Sequence, residues 1–124
     1  MEDNQKSLLY LSYVVMNTDG VIQNQEYTLL KKIIEFEQVS KDSLAEFNKD
    51  IKKKSLEELR KIGLGGLMNA SRRDQIKTLA WIYKMIYADD DVNVKEAQFL
   101  MYTIKPTDIS YSELKKIAEK LPKI

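Results

Sequence analysis

The chain has no cysteine and no histidine in 124 residues. The first absence excludes disulfides, zinc–thiolate centres and thiol nucleophiles. The second removes the usual general base at neutral pH and the commonest transition-metal ligand. Few enzymes work without both, so the expectation is a protein that is not an enzyme. Proline occurs twice and glycine four times, and no linker or low-complexity tract divides the chain. No apolar run approaches the roughly 20 residues of a membrane-spanning helix. The stretch from Leu8 to Met16 breaks into Asn17-Thr18-Asp19 without a small-residue cleavage site, so it does not read as a secretory signal. Neither sign of charge dominates: 20 Lys and Arg face 19 Asp and Glu, and no global field steers the protein toward nucleic acid or anionic lipid. The expectation is a soluble cytoplasmic protein with no nucleic-acid partner and no segment inserted in a membrane.

What is present is helical spacing. Length and composition describe one domain, residues 1–124, large enough to bury a core without staples. Leu8, Leu11 and Val15 lie on one face of a first helix, and Tyr27, Leu30 and Ile34 on one face of a second. A third begins near Ser40, with Leu44, Phe47 and Ile51 at helical steps. Ser55 and Glu58 form a capping box for a fourth, with Leu56, Leu59 and Ile62 facing inward. Gly63, with Gly65 and Gly66 behind it, is expected to stop or kink that helix. A fifth runs from about Ser71 to Ala88, and a sixth starts near Asn93 with Glu96 as its capping acid. Pro106 ends that region, and Ser110 with Glu113 caps a seventh that runs to Leu121. The reading is all-α, about seven short helices in a compact bundle. The first and fifth helices are apolar on nearly all sides, which marks them as the central pair, with Trp81, Tyr13 and Tyr83 between them. The methionines at 16, 68, 85 and 101 read as core filling.

Those two helices open an internal repeat. Leu9, Tyr13, Asp19, Glu26, Leu30 and Ile34 align with Leu79, Tyr83, Asp89, Glu96, Leu100 and Ile104, six identities in 26 positions. Four are apolar or aromatic anchors. The other two are acids seven residues apart, which core burial does not require. Asp19 and the run Asp89-Asp90-Asp91 follow helix C-termini, where the macrodipole disfavours an acid by about 0.3–1 kcal/mol. A following helix N-terminus or a bound cation offsets that cost. An all-oxygen set without His or Cys suits calcium or magnesium. The candidate ligands are Asp19 and Glu26 in the first copy and Asp89, Asp91, Asn93 and Glu96 in the second. Neither copy fits an EF-hand, because Val94 and Leu100 stand where the loop needs Gly and Glu. The competing reading is structural, with Glu96 as the capping acid of Asn93.

The segments N-T-D-G-V-I-Q-N-Q-E and Y-A-D-D-D-V-N-V-K-E resemble the paired D-G-x-[IV]-x-x-x-E signatures of the TerB-like (tellurite-resistance) proteins, a family that includes the N-terminal domain of membrane-anchored DnaJ-like co-chaperones. The likeness covers residues 9–34 and 79–104. Asp19, Glu26, Asp89 and Glu96 match the motif acids, and Asp90 departs from the family's glycine. The resemblance implies an all-helical fold with a pseudo-twofold repeat and metal binding at the acids. It also implies a role in a stress-response system, with protein partners in a membrane-associated complex. Lys52, Lys53 and Lys54 form the one basic run, read as a solvated face or as a partner-binding surface. The functional expectation is a non-enzymatic adaptor. The alternatives are a metal-dependent hydrolase built on the carboxylates, which needs a concave pocket, and a purely structural oligomerisation module forming a homodimer indifferent to divalent ions.

Overall fold

The computed structural model describes residues 2–18, 24–87 and 94–122, with the backbone alone for 24–26. Among these residues the chain forms seven α-helices and no strand. They are α1 (Asp3–Met16), α2 (Asn24–Phe36), α3 (Lys41–Lys53), α4 (Leu56–Asn69), α5 (Arg72–Ile86), α6 (Val94–Ile104) and α7 (Tyr111–Lys120). Serine starts four of them. The hydroxyls of Ser40, Ser55, Ser71 and Ser110 accept the backbone N–H three residues on. Each such cap contributes about 1 kcal/mol. At Ser55 and Ser110 the reciprocal bond from Glu58 and Glu113 completes a capping box.

Helices α1 and α5 form the centre, as their apolar runs require. Leu9, Leu11, Val15 and Met16 of α1 and Leu79, Trp81 and Ile82 of α5 are fully buried. Around them sit α2, α3, α4 and α6 on α1, and α2, α6 and α7 on α5. A smaller core joins Leu9, Tyr10 and Val14 to Phe47 of α3 and Leu59 of α4. Helix α1 ends at Met16 and α5 at Ile86, while α2 begins at Asn24 and α6 at Val94. The aligned tyrosines diverge, however. Tyr13 meets the edge of Phe47, whereas Tyr83 joins Tyr87 and Tyr111.

The glycine run overturns the expectation of a helix stop. Helix α4 continues through Gly63, Gly65 and Gly66 to Asn69. The reason lies in α1, the helix that α4 approaches most closely. A Cβ on Gly63 would stand 2.7 Å from Leu11 Cγ, and one on Gly66 would stand 2.7 Å from the Asp3 carbonyl oxygen. The missing side chains let two backbones close together. Helix propensity yields to tertiary contact at these positions.

Other expectations fail on burial. Tyr27 and Leu56 face outward at 47% and 42% exposure, and Met68 and Met101 are on the surface instead of in the core. In α2 the buried positions are Leu29, Leu30 and Ile33, and Tyr27 carries the Lys31 ammonium over its ring. Helix α2 ends in a Schellman motif with Gln38 at φ 54°. The Val39 N–H reaches the Ile34 carbonyl and the Gln38 N–H that of Glu35. A glycine normally fills that left-handed position.

Candidate functional site

In sequence the acid-bearing segments follow the two central helices. Asp19, Asp89, Asp91 and Asn93 lie outside the described residues, as does the Glu26 side chain; the Glu26 backbone is in the first turn of α2. Glu96 is placed. It sits in the first turn of α6 with its side chain 4% exposed. A buried carboxylate is costly unless donors or charges meet it, and both Glu96 and Lys95 have interaction partners. The first turn of a helix supplies free N–H groups and a favourable dipole, so an inward-turned acid there has a physical reason. Among the described residues, no three acids converge as a metal set would.

The C-termini that precede the two turns are finished differently. At α1 the Asn17 amide donates to the Tyr13 carbonyl at 2.8 Å, and the Thr18 hydroxyl to the Val14 carbonyl at 3.1 Å. These side chains satisfy part of the electronegative helix end before Asp19 is reached. After α5 the last described residue is Tyr87, which packs on Tyr83 and shares a hydroxyl–hydroxyl hydrogen bond with Tyr111. Burial, then the Tyr87 hydroxyl, holds the Tyr111 phenol well above its usual range. The tyrosine trio ties the start of α7 to the end of α5. The end of α5 is therefore braced.

Beyond the turn, α6 is two-sided. Glu96, Leu100, Thr103 and Ile104 are buried. Val94, Met101 and Tyr102 stand outward at 68%, 56% and 73% exposure. Lys52, Lys53 and Lys54 are all exposed at the end of α3, the first two in its last turn, where cations complement the helix dipole.

Three polar clusters escaped the sequence reading. The Trp81 indole N–H donates to Glu37 Oε2 at 3.0 Å, and Lys77 pairs with Glu37 Oε1 at 2.6 Å. They edge a crevice of about 30 Å³ between α1 and α5, enough for a water. The Tyr10 hydroxyl donates to Asp50 Oδ2 at 2.6 Å; burial first, then this carboxylate, raises its pKa well above the tyrosine range. Arg72 is exposed and bridges Asp108 and Glu113 at 3.1 and 2.9 Å. A buried indole N–H must find an acceptor, so a partner for Trp81 was to be expected. Its identity, 44 residues away in sequence, was not. A shallow open depression of about 420 Å³ is rimmed by Glu2, Asp42 and Glu46, with the Gln5 side chain accepting from Ser40 and Ser43. No family model, curated protein or solved structure matches the chain.

Proposed function

We propose that this chain is a TerB-like, non-enzymatic adaptor domain of a cytoplasmic stress-response system, descended from an internal duplication. Its working element is the turn from Asp89 to Glu96 together with the outer face of α6. A basic, amphipathic segment of a partner protein fits this element. Its cations would meet Asp89, Asp90 and Asp91, and its apolar side would cover Val94, Met101 and Tyr102. Calcium or magnesium is the candidate cofactor, held by the oxygens of Asp89, Asp91 and Asn93, and in the first copy by Asp19 and Glu26.

One observation carries this reading. Helix α6 exposes three large apolar side chains on one short helix whose other side is buried, directly after the densest run of acids in the chain. Elsewhere the prominent polar groups join helices, as Tyr10 with Asp50, Trp81 with Glu37, and Arg72 with Asp108 and Glu113.

Calorimetric titration tests it. Wild type and Asp89→Asn/Asp90→Asn/Asp91→Asn are titrated with calcium, with magnesium and with a lysine-rich amphipathic peptide. The reading expects heat from at least one of them, lost in the triple variant. Flat titrations of wild type with all three overturn it. Cleavage of the peptide during the titration would favour the hydrolase alternative.

A further inference from the structure

We propose that the turn between α3 and α4 is a docking surface for the headgroup plane of an anionic lipid bilayer. The distribution of charge is the starting point. Residues 49–61 hold six basic and three acidic side chains, while the rest of the chain holds 14 and 16. That helix–turn–helix corner therefore carries a local excess of three positive charges in a nearly neutral protein. Lys49, Lys52, Lys53, Lys54 and Lys61 are all exposed there.

The three acids of this stretch are each engaged locally. Asp50 accepts the Tyr10 hydroxyl. Glu57 is held by Arg60 at 2.9 Å. Glu58 is folded back onto the backbone N–H and hydroxyl of Ser55, with Lys54 and Lys61 near enough to lower its pKa further. Arg60, the one guanidinium, is paired with Glu57, so the remaining cations are lysines. Lysine acts as a point charge and lacks the planar fork that reads a phosphate bidentately. A cluster of exposed lysines suits a diffuse plane of negative charge better than a site that reads a phosphate bidentately. Two residues after Lys54 stands Leu56, 42% exposed, although its place in the first turn of an amphipathic helix would suit burial. Lysines around a protruding apolar residue are the composition of an interfacial contact. The dipole at the end of α3 accounts for Lys52 and Lys53; it accounts for neither Lys49, Lys61 nor the outward Leu56.

The test is co-sedimentation of the full chain with vesicles of phosphatidylcholine alone and of phosphatidylcholine mixed with phosphatidylglycerol. The proposal expects binding to the anionic vesicles only, weakened by salt as screening shortens. Lys52→Gln/Lys53→Gln/Lys54→Gln should lower the partition coefficient on the order of a hundredfold, at about fivefold per lysine. Leu56→Ser should lower it several-fold at high salt as well. Lys115→Gln/Lys116→Gln, two exposed lysines on α7, is the matched control and should bind as wild type. Circular dichroism confirms that each variant is folded. No binding to anionic vesicles, equal binding to neutral ones, or an equal loss in the control overturns the proposal. So does tighter binding to polyglutamate or to an oligonucleotide at the same salt, which would assign the corner to another polyanion.

Discussion

Three glycines within four residues of α4 should respond in opposite directions to the same substitution. Alanine in place of glycine in a helix interior gains about 0.8–1 kcal/mol from reduced backbone entropy. At Gly65 a new Cβ meets nothing within 4 Å, so the full gain should appear. At Gly66 the Cβ would stand 2.7 Å from the Asp3 carbonyl oxygen, 3.0 Å from Lys6 Cβ and 3.1 Å from the Ser7 nitrogen. Two of those three atoms are backbone of α1 and cannot rotate away. The helices must separate, and overfilling of this kind costs about 1–3 kcal/mol. Gly63→Ala meets two side-chain atoms of Leu11 inside 3 Å and the Leu11 nitrogen at 3.1 Å. Leu11 is fully buried, so its rotamer has little room to yield. Net of the propensity gain, Gly66→Ala should lose up to about 2 kcal/mol and Gly65→Ala gain about 1, a spread of about 1–3 kcal/mol between neighbours. For a chain of this size that spread is on the order of 10 °C in Tm. Urea and thermal unfolding followed by circular dichroism at 222 nm, the usual helix band, measure it. If Gly66→Ala is as stabilising as Gly65→Ala, or if Gly65→Ala falls as far as Gly66→Ala, the close approach of α1 and α4 is not what keeps glycine there.

Glu37→Ala strands the indole N–H of a fully buried Trp81 and should lower the urea-derived stability by about 1–3 kcal/mol. Lys77→Ala removes only a half-exposed partner and should cost under about 1 kcal/mol. Gln38→Gly relieves the left-handed residue at the end of α2 and should raise stability by about 0.5–1 kcal/mol in the same assay. The Tyr10, Tyr83 and Tyr111 phenols all have raised pKa values in the fold. A raised phenol pKa means the fold favours the neutral form. The stabilisation is therefore complete below the unfolded value near 10 and is lost as pH climbs beyond it. Stability should fall above about pH 10, and Tyr10→Phe should fall less steeply, as followed by urea midpoints across the alkaline range.

The helical order was legible because local chemistry and long-range contact agree. Ser55 with Glu58 and Ser110 with Glu113 announce helix starts that the fold uses as capping boxes. The near-continuous apolar runs around Leu11 and Trp81 announce the central pair, and both residues are fully buried. Gly63 and Gly66 misled because a glycine that permits close approach looks, in sequence, like one that ends a helix. Only the position of Leu11 and Asp3 on the facing helix separates the two roles. Tyr27, Leu56 and Met101 misled because periodicity marks an apolar position without saying that a neighbouring helix covers it. At the candidate site, helical spacing placed Glu96 at the start of α6, yet gave no sign that its side chain turns inward to near-complete burial. A buried carboxylate depends on partners brought by the fold, and one-dimensional spacing does not carry that information.

The central claim is that the Asp89–Glu96 turn and the α6 face together receive a partner segment. Amide chemical-shift mapping tests it most directly, with uniformly ¹⁵N-labelled chain titrated with the lysine-rich amphipathic peptide, once with calcium and once with chelator. The account predicts shifts concentrated at residues 88–105, with Asp89→Asn/Asp90→Asn/Asp91→Asn abolishing them. Shifts centred on any other helix, or a spectrum unchanged at saturating peptide in both conditions, would contradict it.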